Sequence, residues 1–127
     1  MTEINLKDEM NLDTLLIKGR VEKEYWIIPG KYRVTFRSLL VNESKELRQQ
    51  ILQGNLSDLD VMVLYLKKQI VEINGIACTE KEVEEKINNM ASPLLDKILQ
   101  AFTKFNEEIN NMFVDEDKKK SGKTTAQ

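Results

Sequence analysis

Between Lys31 and Leu39 apolar and polar side chains alternate, with Tyr32, Val34 and Phe36 on one side and Arg33, Thr35 and Arg37 on the other. A period of two is the pattern of a strand with one buried face. Upstream, Asp13 to Ile28 also favours strand. Leu15, Leu16 and Ile17 form a short apolar run, and an alternating register then sets Val21, Tyr25 and Ile27 against Trp26 and Ile28. Pro29-Gly30 suits the centre of a type II turn, because proline presets φ and glycine accepts φ > 0. Such a turn matches strand twist less well than the primed turns do, so a loop wider than the minimal one is expected. Residues 1–12 show no clean period and read as an arm.

Beyond Leu40 the period becomes helical. Asn42 is the candidate N-cap of a first helix, Glu43 and Glu46 complement its dipole, and Leu47 and Ile51 give it a buried side that ends at Gly54. Ser57 and Asp60 have capping-box spacing and open a second helix. Leu59, Met62, Val63, Leu66, Ile70 and Ile73 line that helix, and Val61, Leu64 and Val71 widen the stripe, as in a helix covered on more than one side. It is expected to run to the turn signal at Asn74-Gly75.

Thr79 and Glu82 form a second capping box, for a helix to about Met90 with Val83, Ile87 and Met90 inward. Ser92-Pro93 reads as N-cap plus first-turn proline of a last helix. There Leu95, Ile98, Phe102, Phe105, Ile109 and Met112 are spaced as an a/d seam. Two readings of the seam stay open. It packs inside the monomer, or it forms a helix-helix surface for a partner or a second copy. The pattern as a whole predicts an α+β fold: a short N-terminal β-hairpin, then a mainly helical body of about four helices over 13–114. Residues 115–127 carry an acidic cluster followed by Lys118-Lys119-Lys120 and almost nothing apolar, the composition of a disordered tail.

Composition narrows the function. At 127 residues, 41% hydrophobic and 31% charged, the chain fits one globular domain with a heavily charged surface. The net charge of -2 gives no bulk electrostatic case for nucleic acid or an anionic membrane. No apolar run approaches the roughly 20 residues of a membrane span, and the first residues lack the order of a signal peptide. The single cysteine, Cys78, excludes an intrachain disulfide and fits a reducing cytosol. The chain has no histidine, which removes Ser-His-Asp and Cys-His catalysis and, with one cysteine, the usual structural zinc site. No catalytic residue, cofactor or metal site is expected.

The remaining candidates each have a plain reading beside the functional one. Arg33 and Arg37 share a strand face and suit a phosphate or a partner carboxylate, or they are simply solvated. Gly122-Lys123-Thr124 lacks the strand and upstream glycine of a P-loop. Glu80, Glu82, Glu84 and Glu85 sit on a helix among lysines, as on a solvated face. Cys78 precedes a helix start, which favours a thiolate, but no base accompanies it. Lys118 to Lys120 are offset by Asp115, Glu116 and Asp117, so they give little basis for nucleic-acid binding.

Arg37-Ser38-Leu39-Leu40, the helix opening at Asn42-Glu43, the segment Gln69-Ile70-Val71-Glu72-Ile73-Asn74-Gly75 and the helical pair after it together resemble small proteins of tailed bacteriophages. These are the tail assembly chaperones and the related family around the T4-type baseplate hub assembly protein. The resemblance spans roughly residues 25–113. It implies a non-enzymatic factor in the host cytoplasm that binds a tail or baseplate component, typically the tape measure protein, with no family catalytic residue to carry over. Members are often made in two lengths by frameshifting, which an A-rich slippery site at Lys118-Lys119-Lys120 would suit. Under this reading Tyr32, Arg33 and Arg37 on the strand and Leu95, Ile98, Phe102, Phe105, Ile109 and Met112 on the last helix are the expected partner-binding residues, with self-association as a further use. A structural subunit of the virion is the alternative; an enzyme regulator or a nucleic-acid-binding protein is a third reading.

Overall fold

The structure, a computed structural model, describes residues 6–114. The tail expected over 115–127 lies outside the described residues, as do residues 1–5. In chain order the elements are α1 (Leu12–Lys18), β1 (Glu22–Ile28), β2 (Tyr32–Arg37), α2 (Val41–Gln53), α3 (Asp58–Gln69), β3 (Ile70–Ile73), β4 (Ile76–Ala77), α4 (Glu80–Asn88) and α5 (Ser92–Asn111). This is an α+β fold that opens on a two-strand hairpin and continues into helices, as the sequence pattern indicates. Two elements differ from expectation.

The apolar run Leu15-Leu16-Ile17 is helical, not extended. A short apolar run suits strand or helix equally, so its flanks decide. The Asn11 side chain accepts the Thr14 N–H at 2.7 Å. Gly19, at φ 79°, closes the other end by donating to the Leu15 carbonyl at 2.8 Å.

The second correction concerns Ile70 to Ile73, read as the end of a helix. The helix stops at Gln69, and Ile70 turns extended at φ -82°, ψ 122°. The segment pairs with β2 through Val34↔Ile73, Thr35↔Glu72 and Phe36↔Ile70. Three of its four residues are β-branched, and β2 would otherwise be a bare edge. Asn74 (φ 54°) and Gly75 (φ 78°) then make a tight turn with both residues left-handed, the primed kind suited to a hairpin, and lead into β4.

The rest of the local chemistry is close to expectation. Lys31 N–H donates to Ile28 C=O at 2.9 Å across Pro29-Gly30, with Gly30 at φ 74°. The loop spans residues 29–31, and a bulge between Trp26 and Ile28 absorbs the mismatch of twist. Both capping boxes form, Ser57 with Asp60 and Thr79 with Glu82. α2 begins one residue before the expected cap Asn42, because the Glu43 carboxylate accepts the Leu40 N–H at 2.9 Å. α5 likewise begins at Ser92, with Pro93 still in the first turn.

The sheet is antiparallel throughout, in the order β1-β2-β3-β4. Part of the arm joins it: Asp8 bridges Lys23, with Glu9 N–H donating to Glu22 C=O and Glu24 N–H to Lys7 C=O. One face of the sheet carries the core. Tyr25, Val34, Phe36 and Ile73 pack against Leu66 of α3, Val83 of α4 and Ile98, Phe102 and Phe105 of α5. Phe36 stacks on Phe105 with ring centres 5.7 Å apart, and Tyr25 meets both rings edge-on.

Candidate functional site

The expected partner-binding residues do not form one site. Ile98, Phe102 and Phe105 are core residues, so the structure corrects their reading as a partner surface. α5 turns this part of the seam onto β1 and β2, where the aromatic cluster consumes it. Ile109 is half-buried against the same core, and Met112 is half-buried at the end of the helix. Leu95, a turn from the helix start, lines a surface groove.

The strand arginines are paired within the chain. Arg33 Nε lies 2.8 Å from Glu24 Oε2, although its N–H does not point along that line. Its guanidinium stacks over Trp26 at 5.7 Å. It also passes over Gly75, where a Cβ would stand 2.7 Å from Nη2, so the glycine of the β3–β4 turn doubles as the seat of the arginine. Arg37 Nε donates to the Lys68 carbonyl at 3.0 Å, and its Nη2 is 3.5 Å from Glu43. Glu43 also takes Arg20 at 2.7 Å. Burial works against its charge, but the bonds from Arg20 and the Leu40 N–H, with both guanidinium charges, hold its carboxyl below the ordinary range. Between the arginines, Lys7 bridges Glu22 and Glu72 at 3.2 Å each, and Thr35 donates to Glu72 at the same distance. Thr35 is fully buried. This face is self-neutralised.

Glu24 and Trp26 were legible as partners of Arg33. Once the turn is placed at Pro29-Gly30, alternation puts all three on one hairpin face.

One stretch of apolar surface lies around Met90 in the turn between α4 and α5; other exposed apolar side chains stand on α1 (Leu16, Ile17) and α2 (Val41, Leu52). On one side a groove of about 560 Å³ is walled by the start of α3, the end of α4 and the start of α5. Its apolar lining includes Leu56, Leu59, Val63, Ile87, Met90 and Leu95, and its polar rim includes Asp60 and Glu84. Leu59 is 53% exposed and Leu56 39%, although the stripe in the sequence places Leu59 inward. Leu59 sits in the first turn of α3. The widened stripe of α3 was the available signal. Across Met90 lies a second cleft of about 460 Å³, lined in part by Tyr32, Ile73, Ile76, Cys78 and Leu94. There burial, and then the nearby Cys78, push the Tyr32 phenol up.

Among the described residues no three His, Cys, Asp or Glu side chains are placed to hold a metal ion, and no helix is long and apolar enough to cross a membrane. No protein-family model, curated protein or solved structure matches the chain.

Proposed function

We propose that the chain is a non-enzymatic assembly factor of a tailed bacteriophage. It acts in the host cytoplasm, binding an apolar segment of a tail or baseplate component, the tape measure protein first among them. The observation that carries this reading is an open apolar groove with exposed leucines at its mouth. The charged sheet face closes on itself through ion pairs, while leucines stay exposed around the groove at the α3–α4–α5 end. Apolar surface left in water is characteristic of a partner site. The Arg37–Glu43 junction, which carries the resemblance to tail assembly chaperones and the T4-type hub assembly family, is an ion-paired strand-to-helix corner. In the second carrier of the resemblance, Gln69 to Gly75, only Gln69 is helical; Ile70 to Ile73 are strand and Asn74-Gly75 a turn.

Co-expression with the tape measure protein of the same genome tests the reading. The expected result is a soluble complex that co-elutes on gel filtration and a tape measure protein that precipitates without its partner. An inert monomer beside an unrescued tape measure protein would sink the proposal. Mass spectrometry of purified particles separates it from a virion subunit: an assembly factor is scarce there, whereas a subunit is present at stoichiometric level.

A further inference from the structure

We infer that the groove walled by α3, α4 and α5 receives an amphipathic helix whose apolar stripe is flanked by lysine or arginine. This rests on the reading of the chain as a binding protein and names the chemistry of its partner.

Three features select that occupant. The first is shape. The groove is open to solvent, whereas a small-molecule site buries about 70–90% of its ligand. Its two carboxylates are also engaged: Asp60 holds the Ser57 N–H at 3.3 Å, and Glu84 meets Lys67 at 3.3 Å. A small ligand therefore finds no enclosure, and the two carboxylates at the rim are already engaged.

The second feature is the origin of the walls. Every described lining residue comes from a helix or from the loops that join helices, and no strand edge reaches the groove. An extended peptide would find no ladder to join, whereas a helix satisfies its own backbone and needs only a slot for its side chains. Leu59, Val63, Ile87 and Leu95 offer that slot along crossing helices.

Charge is the third. The ionisable groups lining the groove among the described residues are Asp60 and Glu84; Lys67 pairs with Glu84 at 3.3 Å, while Asp60 is in none of the described ion pairs. Glu84 remains 46% exposed despite its partner. A helix edged with glutamate would set like charges against this rim, and one edged with lysine meets opposite charge.

Two synthetic peptides of about five helical turns test the inference. Both carry the same leucine stripe at i, i+3, i+4 and i+7, one flanked by lysine and the other by glutamate. The lysine peptide should bind at least about tenfold more tightly, a gap that narrows as salt is raised. In nuclear magnetic resonance titration the shifted amides should centre on Leu59, Glu84, Met90 and Leu95. Leu59→Ser should weaken binding about tenfold while leaving the unfolding midpoint in place, since Leu59 is outside the core. Equal affinity for the two peptides, no saturable binding of either, or shifts centred on the sheet would each overturn the inference. The tail reading fails separately. A captured tape measure protein that the lysine peptide does not displace removes the groove assignment and keeps the tail reading. Groove binding of the peptide without tape measure capture does the reverse.

Discussion

The two faces of the sheet are made by the same strands and held by different physics. On the helix side, Tyr25, Val34 and Phe36 interlock with Phe102 and Phe105, and stabilisation comes from apolar area and ring packing. On the other side, Glu22, Glu24, Arg33, Thr35 and Glu72 are covered by their own long side chains and by Lys7 from the arm. Alternation along a strand separates polar from apolar, but it does not separate exposed from buried. Thr35 is as buried as Phe36. A central strand in a small sheet can lose water on both faces if charged neighbours lie down over it.

The comparison is best broken from the apolar side. Phe105→Ala should cost about 3–5 kcal/mol, seen as a fall in the urea midpoint, because a fully buried ring leaves a cavity that Tyr25 and Phe36 cannot fill. A loss below about 1 kcal/mol would show the cluster to be loosely packed.

On the charged face the largest effect belongs to its most buried carboxylate. Glu24→Gln should cost about 2 kcal/mol, because Arg33 then keeps its burial without its counter-charge. In a double-mutant cycle with Arg33→Leu, additive losses would refute that coupling.

Glu43 gives a pH test. Its carboxyl is more acidic folded than its ordinary value of 4.5, so its stabilisation is complete above pH 4.5 and is lost as pH falls through the lower folded value. Glu43→Gln should lower stability at neutral pH by about 1 kcal/mol and flatten the acid limb of the stability curve. An unchanged acid limb would contradict the pairing with Arg20. The smallest expected effect is that of Lys7→Ala, below about 1 kcal/mol in chemical denaturation, since Lys7 is one-third exposed and its pairs are screened.

How much of this was legible depended on distance along the chain. The hairpin and the two capping boxes are local chemistry, and Pro29-Gly30, Ser57 and Thr79 announce them within a few positions. The strand β3 is not local. Ile70 and Ile73 fit the helical spacing set by Leu59 and Leu66, and only the demand of β2 for a partner overrides it. α1 was ambiguous because its apolar run is short, yet Asn11 and Gly19 carried the answer. At the candidate site the a/d spacing picks out Leu95, whereas the helical stripe places Leu59 inward and the structure exposes it. Exposure of a first-turn leucine depends on how far neighbouring helices extend, which no residue pattern records.

The junction of β2 and β3 also shapes how the chain finds its fold. Each hairpin closes over a short turn, but Thr35 meets Glu72 across 37 positions, with α2 and α3 looped between them. Closing that loop is the slow entropic step, so the two hairpins should form early as separate units and join along this seam late. A nick in the exposed Gly54–Leu56 link would leave one hairpin on each fragment, and recovery of the fold on mixing would depend on that seam and on α5 reaching across to β1.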